Sequence, residues 1–330
     1  MKVRHLAHLA CPDCKGALSL SPGAKVSGDE VESGALACQA CGKEYPVLSH
    51  IPRFVPASTY SDSFGFEWLR HARTQYDSAT HTKISEERFF RETGWGRDLA
   101  GEILLEAGSG SGRFTEIAAA TGATVISVDN SVAVEANYAS NGAGPNVLIA
   151  QADLYHLPLR EGYFDKVLCI GVLQHTPDVE GAFLALTRYL KPKGRLCIDV
   201  YRKRRGLLRI FQTRYLVRPF VAGMPAGRLY ALCKGYITRM WGIASLIHRI
   251  PRIGSRINWV LLIPDYRDQL PLPEEQLKEW AILDAFDILA PTYDSPQYLG
   301  TVRDWFRKAG LADVSVEYGH NGIEGRGTRP

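Results

Sequence analysis

Short apolar runs alternate with amphipathic segments through the middle of the chain. Five runs predict buried strands, near residues 102–107, 123–128, 146–150, 165–170 and 195–200. Segments with helical spacing of their apolar residues lie between them, near 113–121, 131–140 and 178–190. Strands that alternate with helices are typical of a largely parallel sheet covered by helices. The pattern predicts an α/β core over residues 101–200.

The same kind of pattern returns at the carboxyl end. A helix is predicted near 301–309, followed by Gly310, with one strand near 314–318 and a last strand near 322–326. Residues 301–330 therefore complete the core. Residues 201–300 read as an insertion between the fifth strand and the last helix.

A glycine-rich turn follows the first predicted strand. Glu106 closes that strand, and Gly108, Gly110 and Gly112 come next, immediately before a helical segment. Strand, glycine turn and helix form the nucleotide pocket of many α/β sheets, because glycine lets the backbone turn sharply and approach a ligand. A dinucleotide site would have the spacing G-x-G-x-x-G. This turn has G-x-G-x-G instead.

Polar residues also close the next strands. Asp129 ends the second run, and an acid at that strand tip can hold both ribose hydroxyls of an adenosine. Asp153 follows the third run. Since parallel strands end at one edge of a sheet, these side chains are predicted to share a site with the glycine turn.

Taken together, the glycine turn, Asp129, Asp153, the segment GVLQHTPD and the turn-and-strand Lys191–Val200 resemble the class I S-adenosylmethionine (SAM) methyltransferases. The resemblance implies a Rossmann-like sheet of seven strands, mostly parallel with the last antiparallel. It implies that Glu106 engages the methionine amino group, that the three glycines form the floor, and that Asp153 binds the adenine amine. Asn130, Leu154 and Ile170 are also expected to bind the cofactor. The family often has Asp and Cys where this chain has Glu106 and Ser109, which keep the polarity and small size.

The amino-terminal segment contains two C-x-x-C pairs. Cys11 and Cys14 are separated from Cys38 and Cys41 by 23 residues. Two such pairs deliver four thiolates to a tetrahedral Zn²⁺, and a segment this small gains folding energy from the metal. A ribbon that folds without metal, or redox cysteines, are the alternatives. Residues 9–56 resemble the small zinc-ribbon proteins related to the activator subunit of tRNA and protein methyltransferases, so we predict a zinc-ribbon domain over residues 1–56.

Residues 57–100 are predicted to form a helical lid over the cofactor. This segment is aromatic and basic. Phe64, Trp68, Arg70 and Arg73 are candidates to meet the methionine end of SAM, whose carboxylate suits a guanidinium. Packing of the aromatic rings on the core, with the arginines in solvent, is the alternative.

The insertion is strongly basic. From Tyr201 to Pro264 there are thirteen Lys or Arg and no acid, whereas the whole chain has a net charge of +4. Apolar residues interleave with these charges, which suits an anionic membrane surface or a lipid-linked or phosphorylated substrate. Nucleic acid is a further possibility, although a less favoured one. A helical cap with a solvated basic face is the simplest alternative.

Composition narrows the setting. The chain has 45% hydrophobic residues, as expected of a globular protein, and no uninterrupted apolar stretch long enough for a transmembrane helix. Seven cysteines are too few for a disulfide scaffold, and the amino terminus does not resemble a signal peptide. We expect a cytoplasmic protein, with attachment to a membrane surface through residues 201–264 as an option.

His175 is the first candidate for the chemistry. It follows the fourth strand, at the edge where the methyl group is expected, and histidine is the usual general base near neutral pH. Tyr293 is the second candidate, together with Asp287 and Asp294. A purely structural role for His175 is the alternative.

The blocks SFGFEW, LQHTPD and GRG-x-x-P extend the resemblance to a bacterial group of class I methyltransferases over nearly the whole chain. The sequence thus favours a SAM-dependent methyltransferase acting on a small-molecule or lipid-linked acceptor, at oxygen. An RNA methyltransferase that grips RNA through the ribbon and the basic insertion is one alternative. A SAM-binding module without catalysis is the other.

Overall fold

The structure is a computed structural model, and it describes residues 1–56, 58–203 and 213–330. The amino-terminal part begins with a short 3₁₀ helix, Val3–His8. A small antiparallel sheet follows, formed by β1 (Leu18–Leu20), β2 (Lys25–Ser27), β3 (Glu30–Cys38), β4 (Glu44–Leu48) and β5 (Ile51–Pro52). Its order is β1-β3-β4-β5, with β2 paired to the other end of the long strand β3.

The large sheet has seven strands. In chain order, its strands and the helices between them are β6 (Ile103–Ala107), α4 (Arg113–Ala120), β7 (Thr124–Asp129), α5 (Val134–Asn141), β8 (Val147–Gln151), β9 (Phe164–Cys169), α6 (Val179–Thr187), β10 (Leu190–Val200), α11 (Leu299–Lys308), β11 (Ala312–Tyr318) and β12 (Ile323–Thr328). The strand order is β11-β12-β10-β9-β6-β7-β8. Only β12 runs antiparallel to both of its neighbours. The predicted Rossmann-like sheet with an antiparallel last strand is therefore confirmed.

The largest differences from the predicted boundaries are at β10, α5 and α6, which ends at Thr187 rather than 190. The segment 191–194, predicted as a turn, lies within β10, where the pairing to β9 shifts register between Leu190 and Arg195. The bulge accommodates Lys193, whose φ is +64°. Helix α5 begins at Val134 rather than 131, because Ser131 bonds back to the end of β7.

The predicted lid forms three short helices, α1 (Asp62–Arg70), α2 (Asp77–Thr80) and α3 (Ile84–Thr93). The insertion is largely helical where the structure describes it, with α7 (Arg214–Val221), α8 (Ala226–His248), α9 (Gly254–Val260) and α10 (Glu274–Asp287). Its own apolar core includes Ile237, Trp241 and Phe286. Residues 204–212 of the predicted insertion lie outside the described residues. Among the helices that the structure describes, none is long and apolar enough to cross a membrane.

The amino-terminal domain packs directly on the large sheet. Val31, Leu36 and Val47 belong to the same buried apolar cluster as Leu148. The chain leaving β5 also joins the sheet edge, because Phe54 donates its backbone N–H to the carbonyl of Gln151 at 2.8 Å.

One buried arginine extends this junction toward the next strand end. Arg53 donates from Nη1 to Oε1 of Gln151 at 2.8 Å and from Nη2 to Oε1 of Glu135 at 2.9 Å. Gln151 in turn donates to the carbonyl of Asn130 at 3.0 Å. A continuous set of hydrogen bonds therefore connects the amino-terminal domain with the residue that follows β7.

A buried ion triad fastens the lid to the sheet. Arg88, on α3, donates from Nε to Glu92 at 2.6 Å and from Nη2 to Asp199 of β10 at 2.8 Å. Both carboxylate side chains are 0% exposed. Burial raises the pKa of Glu92 to about 7, an effect that the charge of Arg88 opposes. Asp199 also accepts the backbone N–H of Gly171.

Substituting Arg88 with Met should destabilise the protein strongly, because it leaves the buried Asp199 without its counter-charge. We expect a loss of about 3–5 kcal/mol in the free energy of unfolding, measured by urea denaturation. Arg91→Met is the matched control, since Arg91 is an exposed arginine of the same helix without a salt bridge to any described residue. Its expected change is within about 0.5 kcal/mol. Equal losses in the two variants would contradict the assigned role of the triad.

Candidate active site and metal centre

The glycine turn between β6 and α4 depends on the absence of side chains. Gly108 and Gly112 have φ values of +81° and +94°, which disfavour any residue with a Cβ. A Cβ on Gly108 would lie 2.3 Å from Cγ2 of Val172, and one on Gly112 would lie 2.2 Å from Oδ1 of Asn137. The turn is therefore packed closely against the segment after β9 and against helix α5.

Asp129 ties the end of β7 to this turn. Its Oδ2 accepts the backbone N–H of Gly110 at 2.8 Å, and its Oδ1 accepts the backbone N–H and the hydroxyl of Ser131 at 2.8 and 2.7 Å. Burial raises the pKa of Asp129. Oδ1 thus already accepts two hydrogen bonds, whereas Oδ2 accepts one and keeps a lone pair for a ligand hydroxyl. Asp129 and Asn130 both line the cavity described below.

Glu106 lies behind the turn in a polar pocket. Its Oε2 accepts hydrogen bonds from the hydroxyls of Thr115 at 2.5 Å and Ser127 at 3.2 Å. The side chain is 3% exposed, and burial raises its pKa to about 7. It is not among the residues that line the cavity. A cation placed next to Glu106 would favour its ionised form.

A cavity of about 750 Å³ opens between the turn, the lid and the cap. It falls within the range of about 300–1,000 Å³ that small-molecule pockets occupy. Its wall at the sheet edge is formed by Gly108, Ser109, Gly110, Ser111, Val128, Asp129, Asn130, Ala152, Leu154, Ile170, Gly171, Val172 and His175. A nucleoside with an amino-acid tail fits this wall, because the backbone of the turn, a carboxylate and apolar side chains are presented side by side.

The predicted adenine contacts divide into two groups. Leu154 and Ile170 line the cavity, as a face for a purine ring requires. Asp153 does not line it, and its Oδ1 accepts the backbone N–H of Tyr155 at 3.1 Å, at the start of the 3₁₀ helix Leu154–His156. The structure thus gives Asp153 a capping contact, and its binding of the adenine amine stays a prediction.

The lid brings two of its four predicted residues to the cavity. Phe64 and Trp68 both line it, and the Trp68 indole would lie 3.0 Å from a Cβ placed on Gly110. Arg70 instead stacks on Phe66, with 3.5 Å between its Cζ and the ring centroid. Arg73 donates to the Ser78 hydroxyl at 3.1 Å. Neither of these arginines lines the cavity.

Arg113, which the sequence analysis missed, provides a cation in the cavity. Its Nε donates to the Ser85 hydroxyl at 2.7 Å and its Nη1 to Oε1 of Gln75 at 2.9 Å. It forms no salt bridge with any residue that the structure describes, and burial lowers its pKa to about 9. Its position directly after Gly112 was the available signal, since a charged residue there begins the helix that follows the turn. An anionic group in the cavity would further stabilise the charged form of Arg113 and raise its pKa.

His175 is held in a defined orientation. Its Nδ1 lies 2.9 Å from the backbone carbonyl of Tyr293, so this nitrogen carries the proton and Nε2 is the basic one. The ring packs against Phe64 and Tyr201, with centroid distances of 5.0 and 5.4 Å. The Tyr293 side chain packs edge-on against Tyr60 at 5.7 Å and does not line the cavity. Tyr293 therefore contacts His175 through its backbone, and a catalytic role for its phenol stays a prediction.

The cap contributes further polar and aromatic groups, of which the sequence analysis named only Asp287. Asp284 and Asp287, one turn apart on α10, both line the cavity, and burial raises the pKa of each to about 6. Tyr266 donates to Asp284, and Trp280 lies on the same wall. His175 lines the same cavity, and its charge opposes the upward shift of the Asp287 pKa. Of the predicted acids, Asp287 lines the cavity and Asp294 does not.

The four cysteines of the amino-terminal domain come together as their spacing predicts. The sulfur atoms of Cys11, Cys14, Cys38 and Cys41 all lie within 4.8 Å of one another. Cys11 and Cys41 are 3.7 Å apart, and Cys14 and Cys38 are 3.4 Å apart. Four sulfurs at such distances fit a tetrahedral Zn²⁺ with Zn–S bonds of about 2.3 Å. The donor set is that of a structural site, with every position taken by protein.

Two parts of the chain match known protein families. Residues 105–198 match the methyltransferase domain family, and residues 2–47 match the Trm112p-like protein family. The fold and the glycine turn define a class I SAM-dependent methyltransferase domain. The chain joins it to a Trm112p-like zinc ribbon.

The curated relatives are methyltransferases that share only part of their length with this chain. A sterol 24-C-methyltransferase of Pneumocystis carinii is 27% identical over 44% of this chain and 34% of its own length. A ubiquinone biosynthesis O-methyltransferase of Thiobacillus denitrificans is 35% identical over 29% of this chain and 43% of its own length. A demethylmenaquinone methyltransferase of Tropheryma whipplei is 29% identical over 36% of this chain and 49% of its own length. The chain therefore spans a third to a half of the length of these relatives.

Similar solved structures include the Haloferax volcanii Trm112 methyltransferase activator in complex with a putative methyltransferase. The matched chain of that complex is 13% identical to this one, with a TM-score of 0.44, and the match covers 82% of this chain and 98% of that one. A putative SAM-dependent methyltransferase of Methanococcus maripaludis is 14% identical, with a TM-score of 0.44, and the match covers 83% of this chain and 96% of that one.

The metal centre predicts a selective response to cysteine substitution. Cys41→Ser should reduce the zinc content of the purified protein well below one ion per chain and lower its Tm, because one of four thiolates is lost. Zinc is measured by atomic absorption. Cys233→Ser, a substitution of an isolated buried cysteine in the cap, should keep a full complement of zinc. A parent protein without zinc, or a Cys41→Ser variant that retains it, would rule out the four-cysteine site.

The position of Glu106 predicts a pH dependence of SAM binding. With a pKa near 7 in the free protein, Glu106 gains a proton as the pH falls, and its attraction for the methionine ammonium is lost. The association constant measured by calorimetry should therefore fall about tenfold from pH 8 to pH 6.

Glu106→Gln is the control for this pH dependence. Protonation changes in SAM itself affect binding to the parent and to the variant equally, so a difference between the two proteins comes from Glu106. The variant should bind SAM more weakly at pH 8 and show a distinctly smaller change between the two pH values. Identical pH profiles for the parent and the variant would show that Glu106 does not contact the amino group.

Proposed function

We propose that the protein is a SAM-dependent methyltransferase that methylates an oxygen of a small-molecule or lipid-linked acceptor. The observation that carries this proposal is the single cavity that reaches from the glycine turn and Asp129 to His175. Cofactor-binding residues and a candidate base thus face one enclosed space, as transfer between two bound partners requires.

The residues around the glycine turn would hold SAM. The backbone of Gly108 and Gly110 would face the cofactor, and Oδ2 of Asp129 would accept a ribose hydroxyl. Leu154 and Ile170 would flank the adenine. Bound SAM supplies an electrophilic methyl group on a sulfonium.

Two charged side chains suit the amino-acid end of SAM. Glu106 would attract its ammonium, directly or through water. Arg113 would pair with its carboxylate, and this pairing would supply the direct ion pair that the guanidinium lacks among the described residues. Arg113 therefore takes the role that the sequence analysis gave to Arg70 and Arg73.

His175 would act as the general base. Its Nδ1 proton is committed to the Tyr293 carbonyl, so Nε2 can accept a proton from an acceptor hydroxyl. The nearby carboxylate of Asp287 would stabilise the imidazolium that forms. This arrangement favours oxygen as the methyl acceptor, because a hydroxyl has to lose a proton during the transfer.

The remaining walls suit an apolar or aromatic acceptor. Trp259, Tyr266, Leu270, Trp280 and Leu283 line the cavity. Large aromatic side chains offer extensive contact area to an apolar ligand. The names of the curated relatives, for sterol, ubiquinone and menaquinone methylation, are consistent with acceptors of this kind.

The first test is transfer of tritium-labelled methyl groups from SAM to a cell extract. Label in the organic or small-molecule fraction is expected. Ribonuclease-sensitive label in the RNA fraction would replace this proposal by an RNA methyltransferase, and SAM binding without any transfer would indicate a non-catalytic module.

With a labelled acceptor fraction in hand, His175→Asn tests the base. The Asn amide can keep the hydrogen bond to the Tyr293 carbonyl but has no basic nitrogen, so kcat should fall by about 10²–10⁴ while SAM affinity is unchanged. Tyr293→Phe is the control and should retain kcat within a few fold. The opposite result would make the Tyr293 phenol the base.

A further inference from the structure

The outer surface of the cap exposes many large apolar side chains. On α7, Leu216 is 59% and Phe220 is 86% exposed, and on α8, Leu246 is 62% exposed. The other exposed apolar residues of this region are Leu232, Tyr236, Ile243, Ile250, Ile253 and Leu261. Exposure of so many large apolar side chains on one folded region indicates an interaction site.

Helix α8 shows that this exposure is organised. Its inward face is formed by Leu229, Cys233, Ile237, Trp241 and Ala244, all of which are buried. A second stripe, Leu232, Tyr236, Ile243 and Leu246, recurs at spacings of four, seven and three residues and continues to Ile250. These spacings place its members on one side of a helix. A helix that only caps a core needs one apolar stripe, and α8 has two.

Basic side chains surround the exposed stripe. They are Arg228, Lys234, Arg239, Arg249, Arg252 and Arg256, all of them exposed. None of the six forms a salt bridge with any residue in the described ranges 1–56, 58–203 and 213–330. Residues 213–264 contain no Asp or Glu. The positive charge of this face is therefore not neutralised within the described part of the chain.

We propose that this outer face of α7, α8 and α9, with the loop that joins the last two, binds the surface of an anionic lipid bilayer. The apolar side chains would enter the boundary between headgroups and acyl chains, and the arginines and the lysine would contact the lipid phosphates. A bilayer of this kind would contact both the apolar and the basic side chains of the face.

Two other occupants match the face less well. Nucleic acid would neutralise the basic residues but would leave Phe220 and Leu246 in water. A second copy of this chain would cover the apolar stripe but would bring the same uncompensated positive charges together. An anionic bilayer is the partner that satisfies both the apolar and the basic side chains.

Two of the proposed membrane helices also reach the cavity. Arg214 of α7 and Trp259 of α9 line it, while Leu216 and Phe220 of α7 lie on the outside. A bilayer at this face would therefore lie next to the walls of the acceptor cavity. This consequence rests on the proposed function, whereas the binding of vesicles does not.

Co-sedimentation of the full chain with vesicles tests the proposal. Vesicles of phosphatidylcholine alone are compared with vesicles that also contain phosphatidylglycerol, at low and high salt. We expect clear binding to the anionic vesicles, at least tenfold weaker binding to the neutral ones, and weakening of the anionic binding by salt.

Two double variants separate the apolar and the basic contributions. Phe220→Ser with Leu246→Ser should weaken partition into anionic vesicles about tenfold or more. Arg249→Glu with Arg252→Glu should weaken it to a similar degree, and only for the anionic vesicles. The controls are two single variants at exposed side chains elsewhere in the chain. Leu48→Ser, in the ribbon, is the control for the apolar pair, and Arg307→Glu, on α11, is the control for the basic pair. Both controls should bind like the parent.

Each alternative has its own outcome. No difference between neutral and anionic vesicles, or double variants that bind like the parent, would overturn the proposal. RNA binding that depends on the arginines and not on the apolar pair would assign the face to nucleic acid. A concentration-dependent dimer abolished by the apolar pair would assign it to a second copy.

SAM affinity, measured on every variant, should stay unchanged. Loss of vesicle binding with normal SAM binding then bears on the membrane face alone. Failure of methyl transfer in a protein that still binds vesicles bears on the proposed function alone.

Discussion

The hydrogen bond from the Gly110 backbone to the Asp129 carboxylate joins the two strand ends on which the site is built. It fixes the distance between the glycine turn and the end of β7, and it aims the Asp129 side chain toward the cavity. The turn can take this position only because Gly108 and Gly112 leave room for Val172 and Asn137. The same close packing brings the segment after β9, which carries His175, up to the turn. Cofactor site and candidate base are therefore set by one piece of local packing.

The lid and the cap act on this edge through buried charge. Arg88 anchors the lid to β10 through Asp199, and Asp199 also accepts the backbone N–H of Gly171 in the cavity wall. Cations and carboxylates both face the cavity, with Arg113 and the pair Asp284 and Asp287 as its buried members. Burial moves the pKa of each of these groups toward its neutral form. A charged ligand that pairs with them would recover part of that cost, which gives the cavity a preference for ligands with charge at defined positions.

The sequence predicted what depends on local order along the chain. Strands, connecting helices, the glycine turn, the four-cysteine site and the antiparallel last strand all follow from periodicity, spacing and a family pattern. It did not identify groups that converge only in three dimensions. Asp284 and Trp280 are more than 150 residues from Asp129, and nothing in the helical pattern of α10 distinguishes the side that meets the cavity. The arginine assignment went to Arg70 and Arg73 because they lie in an aromatic segment. In the structure Arg113 lines the cavity and Arg70 and Arg73 do not, since the residue after Gly112 begins the helix that follows the turn.

The hydrogen bonds from Arg53 through Gln151 to Asn130 give the ribbon a consequence beyond its own stability. A separate protein would reach this edge only at sufficient concentration, whereas the covalently attached ribbon is always present beside the large sheet. Through these hydrogen bonds, loss of order in the ribbon would reach Asn130, the neighbour of Asp129, which we propose to bind the ribose. A chain that loses its metal would be expected to lose order at the nucleoside end of the pocket first, so that metal supply sets the fraction of molecules able to hold their cofactor.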